Sequence, residues 1–227
     1  MTANLSRAAA AALTLAFCWT SAASAQDSPA SSGDANPEAA AAEEQAQRQL
    51  PGGGVMRADD YRRLVDLDRS AGLALRQALA GGSQTDVQAL TAALADNPLS
   101  PEAGAEHLQG DWSCQMMKLG KIGPLVVYPP FSCRIGADGG FEKLTGSQRT
   151  AGRIMPWEGQ LIYLGTAYIA GDTPPDYSDL PERVDIHADP QIVPDAGIVE
   201  VTGPDRARIL FPQPWLESDM NLLLLTR

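Results

Sequence analysis

The chain has 227 residues, of which 44% are hydrophobic and 20% are charged, a composition typical of one globular domain with an accessory segment. Its 28 acidic residues outnumber 17 basic ones, for a formal net charge of -11. This charge opposes binding to nucleic acid and to anionic membrane surfaces, and no basic cluster in the sequence is large enough to reverse it. We therefore expect neither as a partner.

Residues 1–25 have the three parts of a cleavable secretion signal. Arg7 precedes an apolar run over residues 8–19, and small residues follow at 23–25. The run is shorter than the roughly 18 to 20 residues that a membrane-spanning helix needs. We predict cleavage after residue 25, which would place the mature chain in the periplasm of a Gram-negative cell without a transmembrane segment.

Two cysteines, Cys114 and Cys133, remain after such cleavage. An oxidising compartment favours their pairing, and closing a loop of this length contributes about 3 kcal/mol in the chain-entropy model. The spacing is not the CxxC spacing of redox pairs. We predict a structural disulfide.

Residues 26–54 are rich in Ala, Ser, Pro, Gln and Glu and end near a PGGG sequence. They have too few large apolar side chains to offset the entropy of ordering, which predicts a disordered linker. Residues 55–109 instead have helical periodicity and form the predicted helical N-terminal region.

Within that region, a first helix begins at Asp59 and Asp60 and ends at Gly81, and a second ends before residue 97. A serine followed by a proline at 100–101 then has the pattern of an N-cap with proline at the first helical position. The helices are amphipathic, so we expect them to cover a surface of the domain that follows.

Residues 110–227 have the alternation and turn signals of short β-strands. Their close succession, with little room for helices, indicates an antiparallel sheet, and closure into a barrel would remove its edges. We predict a mainly β fold, an eight-stranded antiparallel calycin-like barrel preceded by a short α-helical hairpin; an open barrel or a sandwich is the alternative. The eight predicted strands are 111–118, 125–135, 140–145, 149–156, 160–169, 196–202, 206–211 and 220–226.

The two ends of this region resemble lipocalin and avidin-like calycin barrels. The sequence GDW at 110–112 matches the Gly-x-Trp of the first strand in those families, and Arg227 follows the last predicted strand. The resemblance implies that Trp112 lies over the closed end of the barrel and that Arg227 stacks on it as a structural clasp. The N-terminal helices depart from lipocalins and the rows of tryptophans of avidins are missing, so no ligand chemistry is carried over.

The chain also resembles a family of exported proteobacterial proteins of unassigned function, over nearly everything after Met56. The resemblance implies a periplasmic domain and supplies no catalytic residues. The sequences that carry it are GDWSCQMMKLG, YPPFSCRI, KLTGSQRTAGRI, YLGTAYIAGD and GPDRARILFPQPWLESDMNLLLLTR.

Known catalytic and nucleotide-binding motifs, including GxSxG, the P-loop, GxGxxG and HExxH, do not occur in the sequence, and we predict no cofactor. The best polar cluster consists of Ser147, Gln148 and Arg149 at a predicted hairpin turn, with Arg153 nearby. It is a candidate site for an anionic ligand group, and ordinary surface arginines are the alternative.

A second candidate site lies in the long connection 171–195. If its sequence DIHAD is extended, Asp185, His187 and Asp189 share one face and could bind a metal ion. Connections of this length in compact domains are usually functional or disordered, so this one is either a lid over the barrel mouth or a solvated excursion.

From these features we predict an exported, non-catalytic domain that binds a small apolar ligand or a protein partner of the envelope. The alternatives are a hydrolase or metal-dependent enzyme that uses the 171–195 connection, and a structural envelope component. A binder of apolar ligands would have a closed apolar cavity of about 300 Å³ or more, whereas a barrel filled by its own side chains would exclude that function.

Overall fold

Nine antiparallel strands dominate the computed structural model, which describes residues 37–227. Eight of them close into a barrel in the order β1-β3-β4-β5-β6-β7-β8-β9, because β9 pairs back with β1. The strand β2 is added beside the second half of β1. The predicted eight-stranded antiparallel barrel is thus confirmed. The strands are β1 Gly110–Gly120, β2 Gly123–Val127, β3 Phe131–Ile135, β4 Gly140–Lys143, β5 Gln148–Trp157, β6 Gln160–Ile169, β7 Val193–Gly203, β8 Arg206–Pro212 and β9 Met220–Thr226.

The single strand predicted over 125–135 is wrong, because Pro129 and Pro130 divide it into β2 and β3. Proline has no backbone N–H to donate to a ladder, so pairing stops there. The first half of β1 therefore pairs with β3, with Trp112 opposite Cys133, and its second half pairs with β2.

A disulfide joins Cys114 of β1 to Cys133 of β3, with 5.9 Å between their Cα atoms. Both side chains are buried in the barrel interior. The bond therefore links two neighbouring strands from inside the core.

Five α-helices precede the barrel in the described part of the chain: α1 Pro37–Gln47, α2 Ala58–Val65, α3 Leu67–Gly81, α4 Gln84–Leu94 and α5 Pro101–Ala105. The first predicted helix is divided at Asp66 into α2 and α3. As predicted, Ser100 caps α5, accepting a hydrogen bond from the backbone N–H of Ala103. No described helix has both the length and the apolar character needed to cross a membrane.

The helix α1 lies where the sequence predicted a disordered linker, and the predicted signal at 1–25 and residues 26–36 lie outside the described residues. Residues 37–227 form one compact unit, so the helical region and the barrel belong together. Contacts at the end of α1 tie it to the rest: Gln47 accepts a hydrogen bond through its carbonyl from Trp157 Nε1 at 3.0 Å.

The helices cover much of the outer barrel surface with two apolar clusters. In one, Ala74 and Ala78 of α3, with Leu90 and Ala93 of α4, pack on outward side chains of β1, β2, β8 and β9. In the other, a cluster around Met56 and α2 covers outward side chains of β6 and β7. Strands in the covered part of the barrel are thus buried on both faces, which explains their nearly continuous apolar sequences.

The barrel interior is filled by its own side chains from the closed end to about its middle. Tyr163, Phe141 and Phe211 meet edge to face there, with ring centroids 5.3 and 5.9 Å apart. Aliphatic residues of β3 and of β5 to β9 pack around them, together with Trp112 and Cys114 of β1. A large apolar ligand has no room in this part of the barrel.

At the closed end, Arg227 lies over the indole ring of Trp112, with the guanidinium carbon 3.9 Å from the ring centroid. The Trp112 Nε1–H donates to the carbonyl of Leu108 at 2.7 Å, and Arg227 Nη2 lies 3.2 Å from the same oxygen. The predicted stacking is thus present, and it fastens the segment after α5 across the end of the barrel.

We predict that Arg227→Ala lowers the free energy of unfolding by about 1–2 kcal/mol, because it removes the ring contact and hydrogen bonds to the segment before β1. Arg134→Ala is the matched control, since Arg134 forms only an exposed pair with Asp111. Urea unfolding of the two variants measures the difference. Equal stability of both variants would contradict a stabilising role for Arg227.

Candidate functional site

The open end of the barrel contains a cavity of about 90 Å³. Three connections border it: residues 144–147 between β4 and β5, 170–192 between β6 and β7, and 213–219 between β8 and β9. Its wall is partly apolar and partly polar. The polar side chains are Lys118, Lys143, Gln148, Arg149, Thr150, Gln191, Asp195 and Asn221, and the apolar wall includes Met116, Ala167, Ile169, Val193, Pro214 and Leu216.

Strand alternation places six of these polar side chains inside the barrel, those of Lys118, Lys143, Gln148, Thr150, Asp195 and Asn221. Arg149 has the opposite phase in β5, and Gln191 lies in the 170–192 connection. Lys118 has the same phase in β1 as Trp112 and Cys114, and Lys143 has the same phase in β4 as Phe141. Successive inward residues of one strand thus run from the apolar core to the mouth. The polar groups gather only where each strand reaches the open end.

Lys143 is the most unusual group in this cavity, because it is only 5% exposed and forms no ion pair in the described part of the chain. Its ammonium donates to the carbonyls of Thr145 and Gln148 at 2.8 and 2.7 Å and lies 3.8 Å from the centroid of the Phe131 ring. Burial, reinforced by the charges of Arg149 and Lys118, lowers the pKa of Lys143 to about 8. Below that pH, Lys143 is a buried cation without a neutralising carboxylate.

Lys118, by contrast, is paired with Glu217 of the 213–219 connection. The Lys118 ammonium donates to the Glu217 carboxylate and, at 2.8 Å, to the side-chain oxygen of Gln148. The Gln148 amide also donates to Glu217 at 3.3 Å. The hydrogen bond from Lys118 holds the pKa of Glu217 below its ordinary value. The three side chains form one polar group at the rim.

On the opposite wall, a hydrogen-bonded series links the core to the cavity. The Tyr163 hydroxyl lies 2.6 Å from Thr150 Oγ1, which donates to the Asp195 carboxylate at 2.9 Å. Residue 165 must be glycine, because a Cβ there would lie 2.1 Å from the Tyr163 hydroxyl. Burial raises the pKa of Asp195 to about 6, although Arg63 and Thr150 act in the other direction.

The long 170–192 connection is held against helix α2 and the preceding Arg57 by polar contacts. Tyr177 donates to Asp60 at 2.6 Å, and Asp60 also pairs with Arg63. Arg57 donates to the carbonyls of Pro181 and Glu182, both at 2.6 Å. Burial and the neighbouring Asp60 carboxylate raise the pKa of Tyr177, which keeps its hydroxyl protonated as the donor. The connection is thus anchored beside the mouth.

The structure brings only part of the first predicted site together. Gln148 and Arg149 line the cavity, whereas Ser147 is exposed on the turn and contributes its carbonyl to Ala170 N at 2.7 Å. Arg153 lies further along β5, where it is exposed and pairs with Asp138 at 3.0 Å. A ligand at the mouth would therefore meet Gln148 and Arg149 but not Arg153.

The second predicted site depends on an extended run, and the structure has a turn there instead. The Asp185 carboxylate accepts the backbone N–H of His187 at 2.9 Å, and the side chains of Asp185, His187 and Asp189 are all exposed. Strand alternation therefore does not align the three side chains. In residues 37–227 no group of three or more His, Cys, Asp or Glu side chains is arranged to bind a metal ion.

Sequence reasoning missed Lys118, Asp195 and Glu217. A signal existed for Lys118, since it has the phase of the buried residues of the first half of β1. Asp195 was missed because β7 was predicted to begin at residue 196, whereas it begins at Val193. Nothing in the sequence pairs Glu217 with Lys118, because 99 residues separate them.

We predict that Asp195→Asn stabilises the protein at pH 7–8 by up to about 3 kcal/mol and has little effect below pH 4. The raised pKa means that the folded state retains the Asp195 proton as the pH rises from 3.8 to about 6, so wild-type stability falls over this range. The charged and polar groups facing Asp195 are Arg63, Asp60 and Thr150, which the variant leaves in place.

Urea unfolding of Asp195→Asn between pH 4 and pH 8 measures this effect. Asp185→Asn is the control, because Asp185 is exposed. A stability difference from wild type that stays constant with pH would contradict the assigned titration of Asp195.

Comparison with known proteins identifies the family to which the chain belongs. The family model described as a domain of unknown function (DUF4893) matches residues 53–225, which include α2–α5 and nearly the whole barrel. No curated protein and no solved structure matches the chain. Because the family model covers well over half of the sequence, the chain belongs to the family of the domain of unknown function DUF4893.

Proposed function

We propose that this chain is an exported, non-catalytic binding domain that takes a small anionic ligand, such as a short-chain carboxylate, into the mouth of its barrel. The observation that carries the proposal is Lys143, a buried ammonium whose hydrogen-bond partners are neutral carbonyls. Burying a charge without a counterion costs free energy. An anionic group bound at the mouth would supply the missing charge.

The balance of charge around the cavity supports an anion rather than a cation. Lys118, Lys143 and Arg149 are basic, and the nearby carboxylates are those of Glu217 and Asp195. Because the pKa of Asp195 is raised to about 6, its carboxylate is only partly ionised near that pH. The cavity is therefore positive within a chain whose net charge is -11.

The size and wall of the cavity limit the ligand to a few heavy atoms. Its volume of about 90 Å³ is well below the roughly 300 Å³ at which pockets for drug-sized ligands begin. Apolar side chains such as Ile169 and Leu216 line part of it, so a short alkyl chain attached to the anionic group would fit. Apart from this cavity, the described barrel is filled by its own side chains, which excludes the apolar ligand predicted from the sequence. We therefore propose a small amphipathic ligand instead.

We expect wild-type protein to bind butyrate and not butyramide, which has the same shape without the charge. Lys143→Met should weaken butyrate binding at least about tenfold, the effect of losing one charge-assisted hydrogen bond of about 1.5 kcal/mol or more. Binding should also weaken as the pH rises through about 8, where Lys143 loses its proton. Titration by calorimetry or NMR measures each affinity.

Arg76→Met is the matched control, because it removes one positive charge at an exposed position of α3, away from the barrel mouth. It should bind butyrate as the wild type does. Equal binding of butyrate and butyramide by the wild type, or undiminished binding by a folded Lys143→Met variant, would overturn the proposal.

Export is the second part of the proposal. It is supported by the signal-like composition of residues 1–25 and by the Cys114–Cys133 disulfide, since such bonds persist in oxidising compartments. The acidic surface and the absence of a long apolar helix in residues 37–227 are compatible with a periplasmic location.

We expect the full chain, expressed in a Gram-negative cell, to be recovered from the periplasmic fraction with both thiols blocked as a disulfide. A variant without residues 2–25 should remain in the cytoplasm with both thiols free. Thiol alkylation followed by mass spectrometry of each fraction distinguishes the two states. Recovery of the full chain in the cytoplasm with free Cys114 and Cys133 would contradict export.

A further inference from the structure

The 213–219 connection forms one side of the cavity and carries the acidic side chain of Glu217 at its rim. Both ends of the connection are held in place. Gln213 donates to Asp66 and Ser70 at 2.6 and 2.8 Å, and Asp219 accepts from Gln77 at 2.8 Å. The residues between, 214–217, contribute Pro214, Trp215 and Leu216 to the cavity wall. The two ends of the connection are thus fixed, and residues 214–217 form a short tip at the mouth of the barrel.

Glu217 is the last residue of this tip and has an unusual backbone conformation. Its φ is 65°, in the left-handed region that residues other than glycine seldom adopt. Such conformations persist where other interactions hold them and are concentrated at functional sites. Glu217 is held by its side-chain contacts with Lys118 and Gln148 and by its carbonyl, which accepts a hydrogen bond from the backbone N–H of Ile122 at 3.4 Å.

The two members of the Lys118–Glu217 pair differ in their access to solvent. The side chain of Lys118 is 7% exposed, whereas that of Glu217 is 37% exposed. Lys118 is therefore part of the barrel wall, and Glu217 approaches it from outside. A ligand carboxylate that enters from solvent would reach Lys118 from the same side as Glu217.

From this geometry we infer that Glu217 is an internal competitor for the anionic ligand, and that the ligand's carboxylate displaces it from Lys118. The inference rests on the proposed function, since it needs a ligand that binds at Lys143. It adds a regulation of that site: the 214–217 tip is a gate whose acidic residue mimics the ligand. Binding then exchanges one carboxylate for another at Lys118, with Lys143 as the second anchor.

The test compares the affinity for butyrate of wild type, Glu217→Gln and Glu217→Gly. Glutamine removes the charge, and glycine removes the side chain while accepting the positive φ without strain. Both variants should bind butyrate about two- to fivefold more tightly, because the ligand no longer has to break the Lys118–Glu217 pair, and a partly exposed salt bridge of this kind contributes up to about 1 kcal/mol.

Glu158→Gln is the matched control. Glu158 is also a glutamate with positive φ, at 45°, and it lies in the turn between β5 and β6 at the opposite end of the barrel. Its substitution changes the net charge by the same amount as Glu217→Gln. It should leave the affinity for butyrate unchanged.

The results separate this inference from the proposed function. Tighter binding by both Glu217 variants, with no change in Glu158→Gln, supports the gate. Unchanged or weaker binding by the Glu217 variants, in a protein whose wild type binds butyrate through Lys143, overturns the gate alone. No butyrate binding by wild type or by either Glu217 variant overturns the proposed function and the gate with it.

Discussion

The inward face of β1 is the feature on which the rest of the structure depends. From the closed end to the mouth it carries Trp112, Cys114, Met116 and Lys118. Trp112 stacks with Arg227, and Cys114 forms the disulfide. Met116 contributes to the apolar wall of the cavity, and Lys118 lies at its polar rim. Because β1 also closes the barrel through β9 and pairs with both β2 and β3, its register sets the relative positions of the two ends.

This arrangement separates stability from chemistry along the barrel axis. The half near Trp112 has a filled apolar core and a disulfide. The half near Lys118 has buried titratable groups, of which Lys143 and Asp195 have pKa values displaced in the directions that burial dictates. Such groups reduce stability, and proteins tend to tolerate this cost at functional sites. The packed half offsets it.

Much of the fold could be predicted because it depends on local patterns. Alternation and turn residues located the strands, and the proline pair at 129–130 marked the break between β2 and β3 even though the predicted strand ran through it. The candidate functional site was harder to predict from the sequence. Gln148 and Arg149 were identified as a polar cluster, but Arg153 points to Asp138 on the outside of the barrel. Strand alternation in β1 and β4 indicates that Lys118 and Lys143 face the barrel interior, whereas no sequence pattern indicates the contact of Lys118 with Glu217.

The sequence by itself determined the strands, the helix caps and the two cysteines available for pairing, because periodicity, turn chemistry and residue type are local properties. Only the tertiary structure decided which charges meet. Closure of the barrel brings residues 118, 143, 195 and 217 to one mouth from four separate segments. Burial at that mouth then alters their protonation and leaves Lys143 without a carboxylate in the described chain, since desolvation arises only after packing.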